Sequence, residues 1–482
     1  MTIQFGTDGW RAVIAETFTF ENLRLLTQGI ADAVSAPDWG GANGGDYDPR
    51  LMVVGFDTRF LSDRFATEVA RVLAANGLTV LLTHADAPTP AVSYAVRHHR
   101  AAGGVMITAS HNAPRYNGVK LKAAFGGSAL NEQCRRVEVF LHDNEARARG
   151  PNLMDYDKAV SAGLIRRFNP MPAYTDHLRT LVDFDVIAAN PQRLVVDSMY
   201  GSGRGAIKGL LQGTGCEVFE IRGEMNPGFG GVHPEPIARY LGATAGAIAA
   251  GHGAFAVVTD GDADRTGAMD GRGQFVDPHK IMALTLRYLV EKRGWTGAAV
   301  KTVSTTRMVN RLAARYGLPC YETPVGFNYI ADYMLAQDVL IGGEESGGIS
   351  IKGHIPEGDG VLFGLLILEM VAASGVTLEE LVDGLLKEYG PARYARKDLR
   401  LARPVSKKDM VQRLTENAPA GIGGLSVARV EALDGVKYVM DDDSWLLIRP
   451  SGTEPVLRVY AEGRDEATVT ALLAYGQKIA EA

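Results

Sequence analysis

The chain has 482 residues, 46% of them hydrophobic and 22% charged, which is too long for one hydrophobic core and too apolar for disorder. A formal net charge of −6 argues against nucleic acid and anionic membrane as partners, because both call for a basic face. Cys134, Cys216 and Cys320 are too scattered for a disulfide framework or a zinc site, apolar stretches are too short to span a bilayer, and no signal-peptide pattern opens the chain, so a cytoplasmic protein is expected.

Near the start, "FGTDGWRA" (5–12) sets Arg11 beside a glycine turn, where it reads as a surface cation or an anion clamp. "LMVVGFDTRFLSDRFATEVARVLAANGL" (51–78) then predicts a strand, a small-residue turn and an amphipathic helix that stops at glycine. In "VMITASHNAPRYNGVKLK" (105–122) a buried strand gives way to a loop holding Ser110, His111 and Asn112. Open α/β sheets present reactive groups at the carboxyl ends of strands, so Ser110 stands as a nucleophile, a cap or a turn residue. A Ser-His hydrolase built on Ser110 and His111 is disfavoured, since neighbouring residues rarely meet nitrogen to hydroxyl and no G-x-S-x-G surrounds the serine. The strand, turn and helix pattern returns at 193–218 and 300–318, which predicts three similarly built α/β domains.

"VVTDGDADRTG" (257–267) places Asp260, Asp262 and Asp264 alternately behind a strand, three carboxylates that repel unless a cation joins them. Their hard oxygens suit Mg²⁺, and an EF-hand fails because Arg265 and Gly271 occupy the positions that need Gly and Glu. "VLIGGEESGGISIKGHIPEGDGVL" (339–362) ends another strand in Glu344, Glu345 and Ser346, groups suited to sugar hydroxyls, and carries His354 in the next connection. "LLIRPSGTEPVLRVY" (446–460) combines Arg449, Ser451, Gly452, Thr453 and Arg458 into a candidate phosphate cradle. The expected domains run 1–168, 169–294, 295–391 and 392–482, the last a small α+β unit with strands in "SWLLIRP" and "PVLRVYAEG" and a terminal helix. Four such loops at strand ends imply a cleft built for phosphoryl transfer on a sugar.

Together "TASHN" with "YNGVK", "DGDADR", "GEESGG" and "RPSGTEP" resemble, in order and over essentially the whole chain, the loops of the α-D-phosphohexomutase superfamily. The resemblance implies three related mixed-sheet α/β domains around a cleft and a C-terminal domain of the TATA-binding-protein-like type. It makes Ser110 the phosphorylated residue, with Asp260, Asp262, Asp264 and a phosphoserine oxygen holding Mg²⁺ and Arg265 contacting that phosphate. Glu344 and Ser346 would bind sugar hydroxyls, and Arg449, Ser451, Gly452 and Thr453 the substrate's non-transferring phosphate. Arg11, Lys120 and His354 become candidates for phosphate contact and general acid/base work.

The implied activity is a phosphoglucomutase with some phosphomannomutase activity, passing through a 1,6-bisphosphate and primed by glucose 1,6-bisphosphate; a phosphomannomutase or a glucose-1,6-bisphosphate synthase on the same scaffold is the rival. The small-molecule partner is a phosphosugar, and the chain acts as monomer or dimer. Three aspartates and a phosphoserine of about −2 outweigh one divalent cation, so Arg11, Lys120, Arg265, Arg449 and Arg115 are expected to supply local positive charge. Ala113 stands where the family commonly has Pro, which bears on the rigidity of the serine loop; Asn328 stands where glucose-directed relatives often have Lys and Gly358 where Lys is common, which bears on the sugar used and on the mutase balance.

Overall fold

A computed structural model describes residues 3, 9–37, 39, 46–401, 406–450 and 456–481. Three sheets repeat one arrangement. In each, the first parallel strand (Asp48–Phe56, Arg193–Asp197 or Ala298–Thr302) lies between the second (Thr79–Thr83, Glu217–Ile221 or Cys320–Thr323) and the third (Ala101–Ile107, Phe255–Thr259 or Val339–Gly343). The third strand then turns back into an antiparallel partner, Tyr116–Ala123, Thr266–Met269 or Ile349–Ile351. The loops at that turn hold Ser110, the aspartates 260 to 264, and Glu344 to Ser346. Three of the four motif loops therefore occupy one topological position in three copies of the unit.

The central strands Ala101–Ile107, Phe255–Thr259 and Val339–Gly343 are buried throughout, as expected of parallel strands covered on both faces. The first sheet extends to Ile165–Phe168, which pairs with Thr79–Thr83. A fourth sheet is antiparallel, in the order Arg393–Arg400, Val456–Gly463, Trp445–Pro450, Val436–Met440, Leu425–Glu431 and Gly421–Ile422. Helices Lys407–Glu416 and Glu466–Glu481 pack against its strands, giving the α+β domain expected at the carboxyl end.

One expectation changes. The helix expected after "RLVVDSMYGSGRG" covers only Ala206–Leu210, because Gly205, Gly209, Gly213 and Gly215 interrupt the segment and glycine is a poor helix former. The helix Pro278–Glu291, on the second-domain side of the boundary expected at 294/295, packs on Met308–Arg315, Gly360–Ser374 and Leu378–Tyr389 as well as on the strand Thr266–Met269.

Between the second and third domains one continuous apolar core includes Leu194, Phe255, Ile281, Leu340 and the Gly360–Ser374 helix, whose residues 360–372 are all buried. Among the described residues no single helix is long and apolar enough to cross a membrane. A smaller cluster of Val303, Val439, Trp445, Leu447 and Tyr460 joins the third domain to the fourth.

Candidate active site

The loop after Ala101–Ile107 brings Ser110 into contact with the second domain. Its Oγ donates to Asp260 Oδ2 at 2.8 Å, and its backbone has φ 49°, a left-handed value unusual outside glycine. A Cβ at Gly261 would stand 2.5 Å from Ser110 O, so glycine is what lets the serine and aspartate loops close on each other. His111 Nδ1 is also near Ser110 Oγ, at a long 3.4 Å, closer than adjacency had suggested. Burial, and then the charges of Arg265, Arg11, Lys120 and Arg59, hold the His111 imidazole well below its ordinary value. Four cations thus surround the serine loop, a setting for a phosphoryl dianion.

One carboxylate oxygen from each of Asp260, Asp262 and Asp264 lies within 4.8 Å of the others, and all three residues are buried. Burial, then Asp262 and Asp264, push the Asp260 carboxyl well above the usual range. Asp262 goes the other way: burial opposes its charge, but Lys120 and the Thr89 hydroxyl outweigh that and keep it ionised. Its Oδ2 accepts from Thr89 Oγ1 at 2.6 Å and lies 3.1 Å from Lys120 Nζ, while its buried Oδ1 has no hydrogen-bond partner. Convergent hard oxygens, one of them orphaned, fit Mg²⁺. Lys120 Nζ also donates to Asp264 Oδ2 at 2.5 Å. Arg265 donates its backbone N–H to Asp260 Oδ1; burial disfavours its charge, yet Asp264 and Asp260 hold the guanidinium above its ordinary value.

Arg11 Nη1 donates to Asn112 Oδ1 at 2.9 Å, so this cation faces the serine loop. Arg115 is exposed and lies over the Tyr116 ring. In the third domain, Glu344 Oε1 accepts from Gly326 N, and Glu345 Oε2 accepts from Ser304 Oγ at 2.6 Å, which fixes the loop at both carboxylates. Ser346 is half-buried beside them. In the fourth, Arg449 Nε donates to Asp434 Oδ2 at 2.7 Å, an oxygen that also accepts from Val325 N of the third domain. Ser451, Gly452 and Thr453 lie outside the described residues, as do residues 5–8 of "FGTDGWRA".

His354 is placed differently from the other candidates. Its side chain is fully buried, with Nδ1 3.0 Å from His177 Nε2 and Nε2 3.0 Å from Asp359 Oδ2, off the angle of a good hydrogen bond. The His177 ring stacks on both His354 and Tyr94, and Tyr174 OH donates to Asp359. These partners tie the first three domains together, and none of them belongs to the serine and aspartate cluster.

The departures at 113, 328 and 358 have structural sequels. Ala113 contributes its carbonyl, which accepts from Arg59 Nη1 at 3.0 Å. Asn328 is buried at the start of the helix Phe327–Ala336. A Cβ at Gly358 would lie 2.5 Å from Asp264 O and 2.8 Å from Gly348 Cα, so no side chain fits there while these loops stay as they are.

Thr89 and Arg59 are site residues that the sequence reading passed over. Thr89 donates its N–H to Asp262 O at 2.8 Å as well as its hydroxyl to the side chain. Arg59, buried, bonds Ser110 O and Asn112 O through Nη2 at 2.5 and 2.7 Å, and Ala113 O and Tyr116 O through Nη1, both at 3.0 Å. Its sequence signal was "DTR" at the end of a central strand, the position where the reactive loops of such sheets begin.

Comparison with known proteins agrees with this arrangement. Phosphoglucomutase/phosphomannomutase alpha/beta/alpha domain I matches residues 2–148, domain II 172–273 and domain III 277–389, and the C-terminal domain of the same family matches 405–475. A Thermococcus kodakarensis phosphoglucomutase/phosphomannomutase is 31% identical over 434 residues, covering 89% of this chain and 90% of its own. A phosphoglucosamine mutase of Carboxydothermus hydrogenoformans is 30% identical, over 98% and 99% of the two chains. The crystal structure of a Thermus thermophilus protein assigned as a phosphomannomutase superposes with a TM-score of 0.85 at 36% identity, over 100% of both chains. With all four domains matched in order, the chain belongs to the phosphoglucomutase/phosphomannomutase family, within the α-D-phosphohexomutase superfamily.

Proposed function

We propose that this phosphohexomutase interconverts glucose 1-phosphate and glucose 6-phosphate through a phosphorylated Ser110 and a 1,6-bisphosphate. The observation that carries this reading is the hydroxyl of Ser110, 2.8 Å from Asp260 Oδ2, on a loop that Arg11 and Arg59 bond and whose His111 also feels the charges of Lys120 and Arg265. A phosphoryl group there meets cations on one side and the metal-type carboxylates on the other.

In the forward half-reaction the bond between phosphorus and Ser110 Oγ breaks as a bond from phosphorus to the sugar hydroxyl oxygen forms. The hydroxyl proton leaves to a base beside the serine loop, and Ser110 Oγ regains a proton. The reverse half-reaction takes the other phosphoryl from the bisphosphate back to Ser110. Asp260, Asp262 and Asp264, with a phosphoryl oxygen of Ser110, would hold Mg²⁺, which when bound draws charge from the serine oxygen. Lys120, held between Asp262 and Asp264 by ion pairs of 3.1 and 2.5 Å, offsets the charge of the carboxylates and is a candidate proton carrier. Arg11 and Arg265 steady the transferring phosphoryl. Glu344 and Ser346 bind sugar hydroxyls, while Arg449 with Ser451, Gly452 and Thr453 grips the phosphate that stays. His354 acts behind the site through Asp359 and His177.

The "GEES" pairing at 343–346 resembles that of the glucose-directed branch of the superfamily, which supports glucose, and the phosphoglucosamine mutase relative makes glucosamine 1-phosphate the competing substrate. Purified protein with Mg²⁺ is offered glucose 1-phosphate, mannose 1-phosphate or glucosamine 1-phosphate, each with and without glucose 1,6-bisphosphate. Glucose 6-phosphate forming fastest, and faster with the bisphosphate, supports the reading. Faster turnover of glucosamine 1-phosphate replaces glucose as substrate, and net accumulation of bisphosphate makes the protein a synthase.

A further inference from the structure

We propose that Arg59 is the positioning residue that holds Ser110 in its reactive geometry, an inference that rests on Ser110 being the phosphoryl carrier. A guanidinium has five N–H donors in a rigid planar fork, and at Arg59 all five are engaged. Nε bonds Asp57 Oδ2 at 3.1 Å, and the two terminal nitrogens divide between the carbonyls of Ser110, Asn112, Ala113 and Tyr116. One side chain therefore fixes the backbone across the whole turn that carries the nucleophile.

That turn needs such a fastening. Ser110 adopts φ 49°, a strained choice for a side chain with a Cβ, and persists in it only if the surroundings over-determine it. Asp57 is the base of the fastening. Its carboxylate also accepts from Thr108 Oγ1 at 2.6 Å and Ser62 Oγ at 3.0 Å, and Thr108 Oγ1 in turn accepts from the Ser110 N–H at 2.8 Å. Arg59 and Thr108 thus hold the serine peptide from its carbonyl and amide ends, both anchored on one carboxylate. On its open face the guanidinium is covered by the Phe229 ring of the second domain, with Cζ 4.9 Å from the centroid. The covering ring keeps water from competing for the fork.

Lysine supplies charge but no fork, so it cannot reproduce four carbonyl bonds. The Arg59→Lys variant, purified and verified as folded by circular dichroism, is compared with wild type for steady-state turnover and for the rate at which glucose 1,6-bisphosphate phosphorylates Ser110, read by intact mass. A displacement of about 1 Å in a reacting group costs about 100-fold in rate, so kcat and phosphorylation rate are expected to fall together by about 100-fold while KM holds. Wild-type kcat in folded Arg59→Lys, or a loss confined to KM, overturns the proposal. If Arg59→Lys does not fold, Asp57→Asn keeps the four carbonyl bonds but loses the charge that aims the fork; a kcat about tenfold lower at unchanged KM, the scale of one charge-assisted bond, supports the proposal and an unchanged kcat overturns it. If wild type itself takes up no phosphoryl on Ser110, the mutase reading fails and the proposal falls with it, a result distinct from an active wild type beside an equally active Arg59→Lys.

Discussion

Ser110 and Asp260 lie 150 residues apart in sequence and 2.8 Å apart in space, Oγ donating to Oδ2. The contact joins two loops at the same position of two repeated units, one offering a hydroxyl and the other three carboxylates. Asp262, whose Oδ1 lacks a partner, marks where the arrangement calls for a cation. Mg²⁺ is therefore expected to raise the unfolding midpoint of the wild-type protein and EDTA to reverse it, since a ligand at about 100 times its Kd adds about 2.7 kcal/mol. In Asp262→Asn the midpoint should no longer respond to Mg²⁺. Differential scanning fluorimetry with and without the metal reads both, and an equal shift in the variant would place the cation elsewhere.

Lys120 is 1% exposed and lies between Asp262 and Asp264. Removing one partner from a buried ion cluster leaves charge uncompensated, at a cost of about 3–5 kcal/mol. Lys120→Met should lose that much in urea unfolding when the metal is chelated. A loss of about 1 kcal/mol, the worth of an exposed ion pair, would mean that the carboxylates do not depend on the lysine.

Acid should weaken the joint between domains. Burial, and then the neighbouring His354, hold the His177 imidazole at about 4, with Asp359 opposing and Arg97 reinforcing that shift. The unfolded chain takes up this proton near 6.5, so the folded state binds fewer protons between those values. Stability is then fully present above about 6.5 and is lost as the pH falls towards 4. Urea midpoints measured across that interval should fall more steeply for wild type than for His177→Gln, and parallel curves would remove His177 from the account.

Arg449 is gripped by Asp434, which Val325 N also reaches from the third domain. If Arg449 holds the phosphate that does not react, its contribution is the same in ground and transition states. Arg449→Ala should then raise KM by about 10- to 100-fold, the scale of charge-assisted hydrogen bonds, with kcat little changed. A fall in kcat at constant KM would assign Arg449 to the transferring group.

Strand ends were legible because buried parallel strands read as continuous apolar runs, so the loops holding Ser110, Asp260 and Glu344 could be located residue by residue. Long-range partnerships were not. "DTR" at a strand end marks Arg59 as near the reactive loops, but its burial depends on carbonyls 51 to 57 positions further on. His354 read as a loop histidine near chemistry, whereas its ring is claimed by His177, 177 residues away, and by Asp359. The helix Pro278–Glu291 lies outside the three segments whose pattern was read, and turn signals at 294/295 do not say which elements it packs on. Local pattern specifies an element, while the partner that completes it comes from packing.

In the proposed reaction Ser110 carries the phosphoryl group between sugar positions. The most direct measurement is intact mass of wild type and Ser110→Ala after incubation with glucose 1,6-bisphosphate and Mg²⁺, with turnover followed on the same samples. One phosphoryl is expected on wild type, none on Ser110→Ala, and mutase activity only in the first. A phosphorylated or active Ser110→Ala protein would contradict the proposed reaction.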